Sequence, residues 1–252
     1  MNLSKRLRMV ADCVTKGNVV ADVGCDHAYI SIYLVEGKIA PKTIALDVNE
    51  GPLLRAQENI MSYGMGNLIT TRLSDGLHKL EPNEVDSIVI AGMGGPLMIK
   101  ILEEGSECVK AAKELILQPQ SEIWRVREYL HNLNFEITKE DMCIDEGKYY
   151  TVLYAQPQSL WGCDTLSREN RDGFCEEREV TKETEELYNR YGRSLLEHKH
   201  PILKQFLEKE RSKSYQIKEN LESNRTPKNR ERYAELLKEI EMLEDALQYY
   251  RS

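Results

Sequence analysis

Asp22-Val-Gly-Cys-Asp-His-Ala-Tyr29 closes the short apolar run Val19-Val20-Ala21, and 23 residues past Gly24 a second apolar run ends at Asp47. A glycine at the carboxyl end of a first strand lets the backbone turn tightly. An acid at the end of a second strand can take both ribose hydroxyls of an adenosine. Only the first glycine of a G-x-G-x-x-G fingerprint is present, and Asp26 stands where the second would be. A backbone-cradled pyrophosphate is therefore disfavoured, although a nicotinamide cofactor stays open as the alternative. Asp22 and Asp26 would repel phosphates and attract an ammonium or sulfonium cation, which fits S-adenosylmethionine.

These residues need an open parallel sheet to bring them together. Apolar runs at 19–24, 43–48, 67–74, 86–91 and 114–118 alternate with helical segments, the signature of βαβ units. Asn49 and Pro52 open one helix and Gly64 stops it, with Leu53, Leu54, Gln57, Ile60 and Met61 as its inward face. A later helix places Ile123, Trp124, Arg127 and Leu130 on one side. Runs at 135–144 and 149–155 flank Asp145-Glu-Gly-Lys148, a tight turn, so the sheet ends in an antiparallel hairpin. Five parallel strands with such a hairpin predict an α/β fold of the class I methyltransferase type: Rossmann-like, seven-stranded, over residues 1–158.

In that sheet the strand ends meet near the switch point. Cofactor contacts are expected from Asp22, Gly24, Cys25, His27, Asp47, Val48, Asn49, Asp75, Gly76, Leu77, Gly92 and Met93. Asp75 would accept from an adenine amine or, equally, cap a helix. Val48 and Leu77 would sandwich the ring. Gly92, Gly94 and Gly95 would leave bare backbone for a flat acceptor, with Gln118, Pro119 and Gln120 lining its pocket. Asp26 is the candidate to stabilise positive charge developing on the acceptor, and Tyr29 to stack on it or hydrogen-bond it. His27 reads as support for the turn, and Cys25 as a packing residue.

Residues 159–252 read as a separate helical domain. Leu236, Ile240, Leu243, Leu247 and Tyr250 follow coiled-coil spacing, and Leu203, Phe206, Ile217 and Leu221 offer a partner face across a bend at Asn224-Arg-Thr-Pro227. An antiparallel helical hairpin, with the chain as a monomer, is expected; dimerisation through the seam is the alternative. Pro157 to Arg171 is turn-rich.

The net charge of −8 argues against a nucleic-acid partner only while clustering is ignored. The first 158 residues carry 16 Lys and Arg against 22 Asp and Glu, the remainder 18 against 20. Basic knots occur at Lys5/Arg6/Arg8, Arg190/Arg193, Lys209/Arg211/Lys213 and Arg225/Lys228/Arg230/Arg232. They are either solvated helix faces or a nucleic-acid grip. The cysteines Cys13, Cys25, Cys108, Cys143, Cys163 and Cys175 show no C-x-x-C, so neither metal nor a disulfide framework is expected. No apolar stretch approaches the roughly 18 residues of a membrane span, and no apolar run follows the charged amino terminus. A cytoplasmic protein without membrane contact is expected.

Leu3-Ser-Lys-Arg-Leu, Asp22-Val-Gly-Cys-Asp-His-Ala-Tyr, Ala91-Gly-Met-Gly-Gly and Leu115-Ile-Leu-Gln-Pro-Gln together resemble the bacterial tRNA (adenine-22 N1)-methyltransferase family, TrmK. The resemblance covers nearly the whole chain. It implies S-adenosylmethionine as cofactor, N1 of adenine 22 in tRNA as acceptor, and a coiled-coil domain that helps to grip tRNA. Lys5, Arg6 and Arg8 are the expected tRNA contacts of the amino terminus. A small-molecule methyltransferase and a non-catalytic interaction protein are the rival readings.

Overall fold

The computed structural model describes residues 1–161, 181–223 and 227–251. Contacts divide the chain into two compact units, Met1–Glu176 and Glu177–Ser252. The first carries β1 (Val20–Val23), β2 (Thr43–Asp47), β3 (Ile69–Leu73), β4 (Ser87–Met93), β5 (Glu114–Pro119), β6 (Phe135–Asp145) and β7 (Lys148–Pro157). Its helices are α1 (Lys5–Ala11), α2 (Tyr29–Glu36), α3 (Glu50–Ser62), α4 (Gly95–Glu104), α5 (Ser106–Ala111) and α6 (Ile123–Asn132). The strands form one seven-stranded sheet in the order β3-β2-β1-β4-β5-β7-β6. The first five run parallel, with Ala21 paired to both Ile44 and Ile88, and β7 lies antiparallel between β5 and β6.

Alternation along the strands loads both faces, as a parallel sheet between two helix layers requires. Ala21, Val23, Leu46, Ile88, Ile90, Leu115 and Leu117 face one core with Met98, Leu102, Val126 and Leu130. Val20, Val89 and Ile116 face the other, with Val10 of α1 and Leu34 of α2, while Ala45 meets Ile32, Leu53, Ala56 and Ile60. Two expected helix faces are rotated. In α3 the buried residues are Leu53, Ala56 and Ile60, whereas Leu54 and Met61 are exposed. Ala56 is buried in one cluster with Ala45, and Leu54, Gln57 and Met61 are exposed. In α6 Val126, Arg127 and Leu130 are buried and Trp124 is exposed. The amino-terminal basic knot proves to be α1, capped by Ser4 Oγ on Leu7 N at 3.3 Å, with Met9, Val10 and Ala11 buried.

The second unit carries α7 (Lys182–Tyr191), α8 (Arg193–Glu197), α9 (Pro201–Ser223) and α10 (Pro227–Gln248). Tyr233 Oη donates to Glu222 at 2.6 Å, Arg211 meets Glu244 at 3.8 Å, and Tyr250 Oη donates to the His200 carbonyl at 3.1 Å. Those pairs run in opposite chain directions, so α9 and α10 are antiparallel. Leu236, Ile240, Leu243 and Leu247 are buried as their spacing requires. On α9 the covered row is Leu203, Leu207 and Ser214, while Ile217 is exposed. Most of the turn-rich segment after Pro157, the bend residues 224–226, Cys163 and Cys175 lie outside the described residues.

Candidate functional site

The turn after β1 is held in unusual backbone geometry. Gly24, Asp26 and Ala28 adopt φ of 72°, 47° and 57°. For Asp26 and Ala28 the left-handed region costs on the order of 1 kcal/mol each, and such strain concentrates at binding sites. The cost is offset by bonds from neighbouring strands. Gly24 N and Cys25 N both donate to the Leu46 carbonyl at 2.8 and 3.0 Å. Asp47 accepts from Asn49 N at 2.9 Å through Oδ1 and from Asp26 N at 3.3 Å through Oδ2. The acid ending β2 thus stitches both turns together. A Cβ on Gly24 would stand 2.3 Å from Met93 Cε, so the β1 turn lies directly against the end of β4.

Asp22 is buried beneath this turn, and its Oδ2 accepts from Ser31 Oγ at 2.8 Å and Ser31 N at 3.3 Å. Burial pushes its carboxyl up to about 6, and the Asp47 charge adds to the rise against the lowering effect of the Ser31 bonds. Asp22 therefore anchors the first turn of α2. Cys25 is also buried, and desolvation with the Asp22 and Asp47 charges raises its thiol far above the usual value. It packs as a neutral thiol.

Asp26 points outward, 65% exposed, with Arg55 Nη2 and His27 Nε2 each 3.6 Å from its Oδ1. His27 and Tyr29 stack with centroids 5.2 Å apart and planes 14° from parallel. Asn59 Nδ2 fixes the His27 carbonyl at 3.0 Å. Tyr29, 40% exposed, is the outer ring of this two-ring platform.

At the end of β3, Ser74 Oγ accepts from Lys79 N at 3.1 Å and donates to the Gly76 carbonyl at 3.0 Å. A turn follows and no helix, so Asp75 caps nothing; its carboxylate is exposed and has no hydrogen bond among the described residues. Val48 is exposed at the neighbouring strand end. Leu77 corrects the expected sandwich. It is buried in the core, and a Cβ on Gly105 would come within 2.4 Å of it, because the turn folds Leu77 under α4. Gly76, at φ 53°, backs onto Ile101.

The end of β4 carries a bulge. Ala91 pairs with Gln118 and Met93 with Pro119, leaving Gly92 unpaired at φ 81°. Gly94 and Gly95 correct a second expectation, for their missing side chains serve packing. A Cβ on Gly95 would lie 2.7 and 2.9 Å from the Ser121 and Glu122 carbonyls, and one on Gly94 3.1 Å from Ser121 Oγ. Gly95 N donates to Ser121 O at 3.0 Å and Gln120 N to Met93 O at 2.8 Å, locking the two loops. Gly92 faces the nitrogens of two side chains, with Arg6 Nη1 and Gln120 Nε2 at 3.3 and 3.7 Å from its virtual Cβ. Gln118 is buried; its Oε1 accepts from Arg6 Nη1 at 2.9 Å and its Nε2 donates to the Pro119 carbonyl at 3.2 Å. Pro119 is likewise buried within β5.

Arg6 is the residue whose place the sequence did not reveal. Lys5 and Arg8 of α1 are exposed, but Arg6 turns toward β4 and β5, half-buried, with its guanidinium 5.5 Å above the Tyr150 ring. Only the packing of α1 on the sheet brings it there. Among the described residues no three His, Cys, Asp or Glu side chains assemble to hold a metal ion.

Sheet order, glycine turn and β2 acid define a class I methyltransferase architecture at the level of fold and site. Residues 3–153 match the family described as a methyltransferase domain. The tRNA (adenine(22)-N(1))-methyltransferase of Bacillus subtilis is 38% identical over 156 residues, which span 62% of this chain and 66% of that protein. The crystal structure of the B. subtilis M1A22 tRNA methyltransferase TrmK superposes with a TM-score of 0.79 at 29% identity, covering 98% of this chain and 99% of that one. A Streptococcus pneumoniae chain in complex with S-adenosyl-L-methionine, described provisionally as a tRNA (m1A22) methyltransferase, gives 0.77 at 31% identity over 98% and 100%. The chain belongs to the methyltransferase-domain family and, within it, to the tRNA (adenine-22 N1)-methyltransferases.

Proposed function

We propose that this protein transfers a methyl group from S-adenosylmethionine to N1 of adenine 22 in tRNA, in the cytoplasm. The carrying observation is the acidic, strand-end cradle of Gly24, Asp47 and Asp22 in a chain that matches the cofactor-bound S. pneumoniae structure over 98% of its own length. The residues present suit that cofactor. Asp47 ends β2 where ribose hydroxyls would lie, Val48 offers an exposed apolar contact for the adenine, and the β1 turn holds acids and no lysine or arginine that would favour phosphates. When bound, the sulfonium supplies an electrophilic methyl group.

Adenine N1 carries an in-plane lone pair at neutral pH, so the protein's task is positioning and water exclusion. The stacked His27–Tyr29 pair offers a flat surface to the acceptor base, and the Gly92 bulge permits close approach. Asp26 would accept from the exocyclic amine as the purine becomes cationic, leaving Arg55 to do so. Asp26→Asn is expected to lower kcat about 10-fold, measured under saturating tRNA and cofactor; an unchanged kcat removes this role.

Extruding a base from folded tRNA costs a few kcal/mol, recovered through backbone contacts. Those are assigned to α1 and to the basic groups of the helical domain, 159–252. The leucine seam of α10 is covered by α9 within the chain, which supports a monomer as the working form. Incubation with unmodified bulk tRNA and methyl-labelled S-adenosylmethionine, followed by nucleoside digestion, tests the proposal. Label in N1-methyladenosine is expected; no label in any nucleoside, with cofactor binding verified alongside, refutes it.

A further inference from the structure

We infer that Arg6 is a phosphate clamp for the methylated nucleotide itself, built into the acceptor wall, while Lys5 and Arg8 are available only to the outer RNA surface. The inference rests on the RNA-methylating reading above and deepens it.

Four observations place the guanidinium. Its Nη1 donates to Gln118 Oε1 at 2.9 Å, and Gln118 is itself fully buried and tied to the Pro119 carbonyl. Its Cζ lies over Tyr150, 5.5 Å from the ring centroid. The backbone N of Arg6 donates to Asp145 Oδ2 at 3.2 Å, so that carboxylate holds the main chain and not the guanidinium. The fourth is Gly92, whose bulged backbone brings the β4 end within 3.3 Å of Nη1 at the virtual Cβ position.

One of the five guanidinium N–H donors is thus spent. Nε and Nη2 have no hydrogen bond among the described residues, and their orientation is set by the Gln118 bond and the Tyr150 ring. A guanidinium held in this way presents its remaining donors as a fixed fork, which matches the oxygens of a phosphodiester. Charge decides between base and phosphate. Methylation at N1 makes the purine cationic, so a cation beside the base would oppose the reaction. The anion that suits Arg6 is the phosphate of the same extruded nucleotide or of its immediate neighbour. Bonding there would fix the rotation of the flipped nucleotide and so the direction of its N1 lone pair.

The test uses the full-length protein and a tRNA ligated with a single methylphosphonate on the 5′ or the 3′ side of the methylated adenosine. On unmodified tRNA, Arg6→Gln and Arg6→Lys are expected to lower kcat/KM about 10- to 100-fold, with S-adenosylmethionine affinity unchanged. One of the two methylphosphonates is expected to cost the wild-type enzyme a similar factor and to cost Arg6→Gln less than about 3-fold, the non-additivity of two groups in contact. Equal penalties in both proteins, or no penalty at either position for the wild type, overturn the assignment; the second result needs no variant to fold. A wild-type protein that methylates no RNA at all would instead refute the function reading and the clamp with it.

Discussion

Asp22 ties the start of α2 to a buried, shifted carboxylate. It holds Ser31 at the start of α2, and its burial raises its carboxyl to about 6. Because the folded chain holds that proton more tightly than the unfolded chain, the ionised form costs stability. The cost is complete above about pH 6 and fades as pH falls from there toward the usual carboxylate value. It amounts to on the order of 3 kcal/mol at pH 7. Asp22→Asn keeps a carbonyl oxygen for Ser31, so its melting temperature should exceed that of wild type at pH 7.5 and the gap should close near pH 4. If Asp22 also draws the cationic tail of the cofactor, the same variant will bind S-adenosylmethionine more weakly at pH 7.5, read by calorimetry. A lower melting temperature at pH 7.5 would show that burial is outweighed by the Ser31 bonds. Spacing alone placed Asp22, Asp47 and Gly24 at the ends of β1 and β2, because a strand-turn-helix unit leaves little freedom in where its end residues go. Burial, which sets how Asp22 titrates, is invisible until α2 covers it.

Between elements, glycines and one buried ion pair govern how the helices seat against the sheet. The Gly95 Cβ position is bounded by two backbone carbonyls, which cannot rotate away, whereas that of Gly24 meets only the flexible end of Met93. Gly95→Ala is expected to cost about 1–3 kcal/mol, as overpacking does, and to displace α4 from the Ser121 loop; a melting temperature equal to wild type would show that the loop yields. Arg127 of α6 and Glu140 of β6 pair at 2.8 Å with side chains only 5% and 2% exposed. Removing one partner leaves a buried charge, so Glu140→Ala should lose about 3–5 kcal/mol in denaturant unfolding. A loss under about 1 kcal/mol would show that the other contacts of Arg127 suffice. Periodicity reads such elements well and their faces less well. It located the start of α3 at Asn49, whose side chain makes no capping bond, but it ranked Leu54 and Met61 above Ala56 because hydrophobicity dominates such a pattern. The face that meets the sheet is the one carrying Leu53, Ala56 and Ile60.

At the scale of the whole molecule, several basic groups of the helical unit pair, among the described residues, with acids on the same or the adjacent helix. Arg232 bonds Glu235 and Glu239, Arg211 meets Glu244, and Arg193 bonds Glu197. Exposed pairs of this kind stabilise little, about 0–1 kcal/mol each, so an RNA phosphate can compete for the arginines. Replacing Arg211 and Arg232 together with Glu should weaken tRNA binding, lower the salt slope by about 1 per lost phosphate contact, and leave cofactor affinity unchanged. Unaltered tRNA affinity would remove this surface from the binding model. The sequence by itself determined the order of strands along the chain, the glycine turn with its β2 acid, the terminal hairpin and the buried row Leu236, Ile240, Leu243 and Leu247 of α10, since these depend on local backbone sterics and on periods of two, 3.5 and 3.6 residues. Tertiary structure alone decided that Leu77 lies in the core, that Gly94 and Gly95 serve helix packing, and that Arg6 turns inward to bond Gln118. Each depends on contacts between segments far apart in the chain, as between Arg6 and Gln118, and nothing in the local pattern of either segment encodes its distant neighbour.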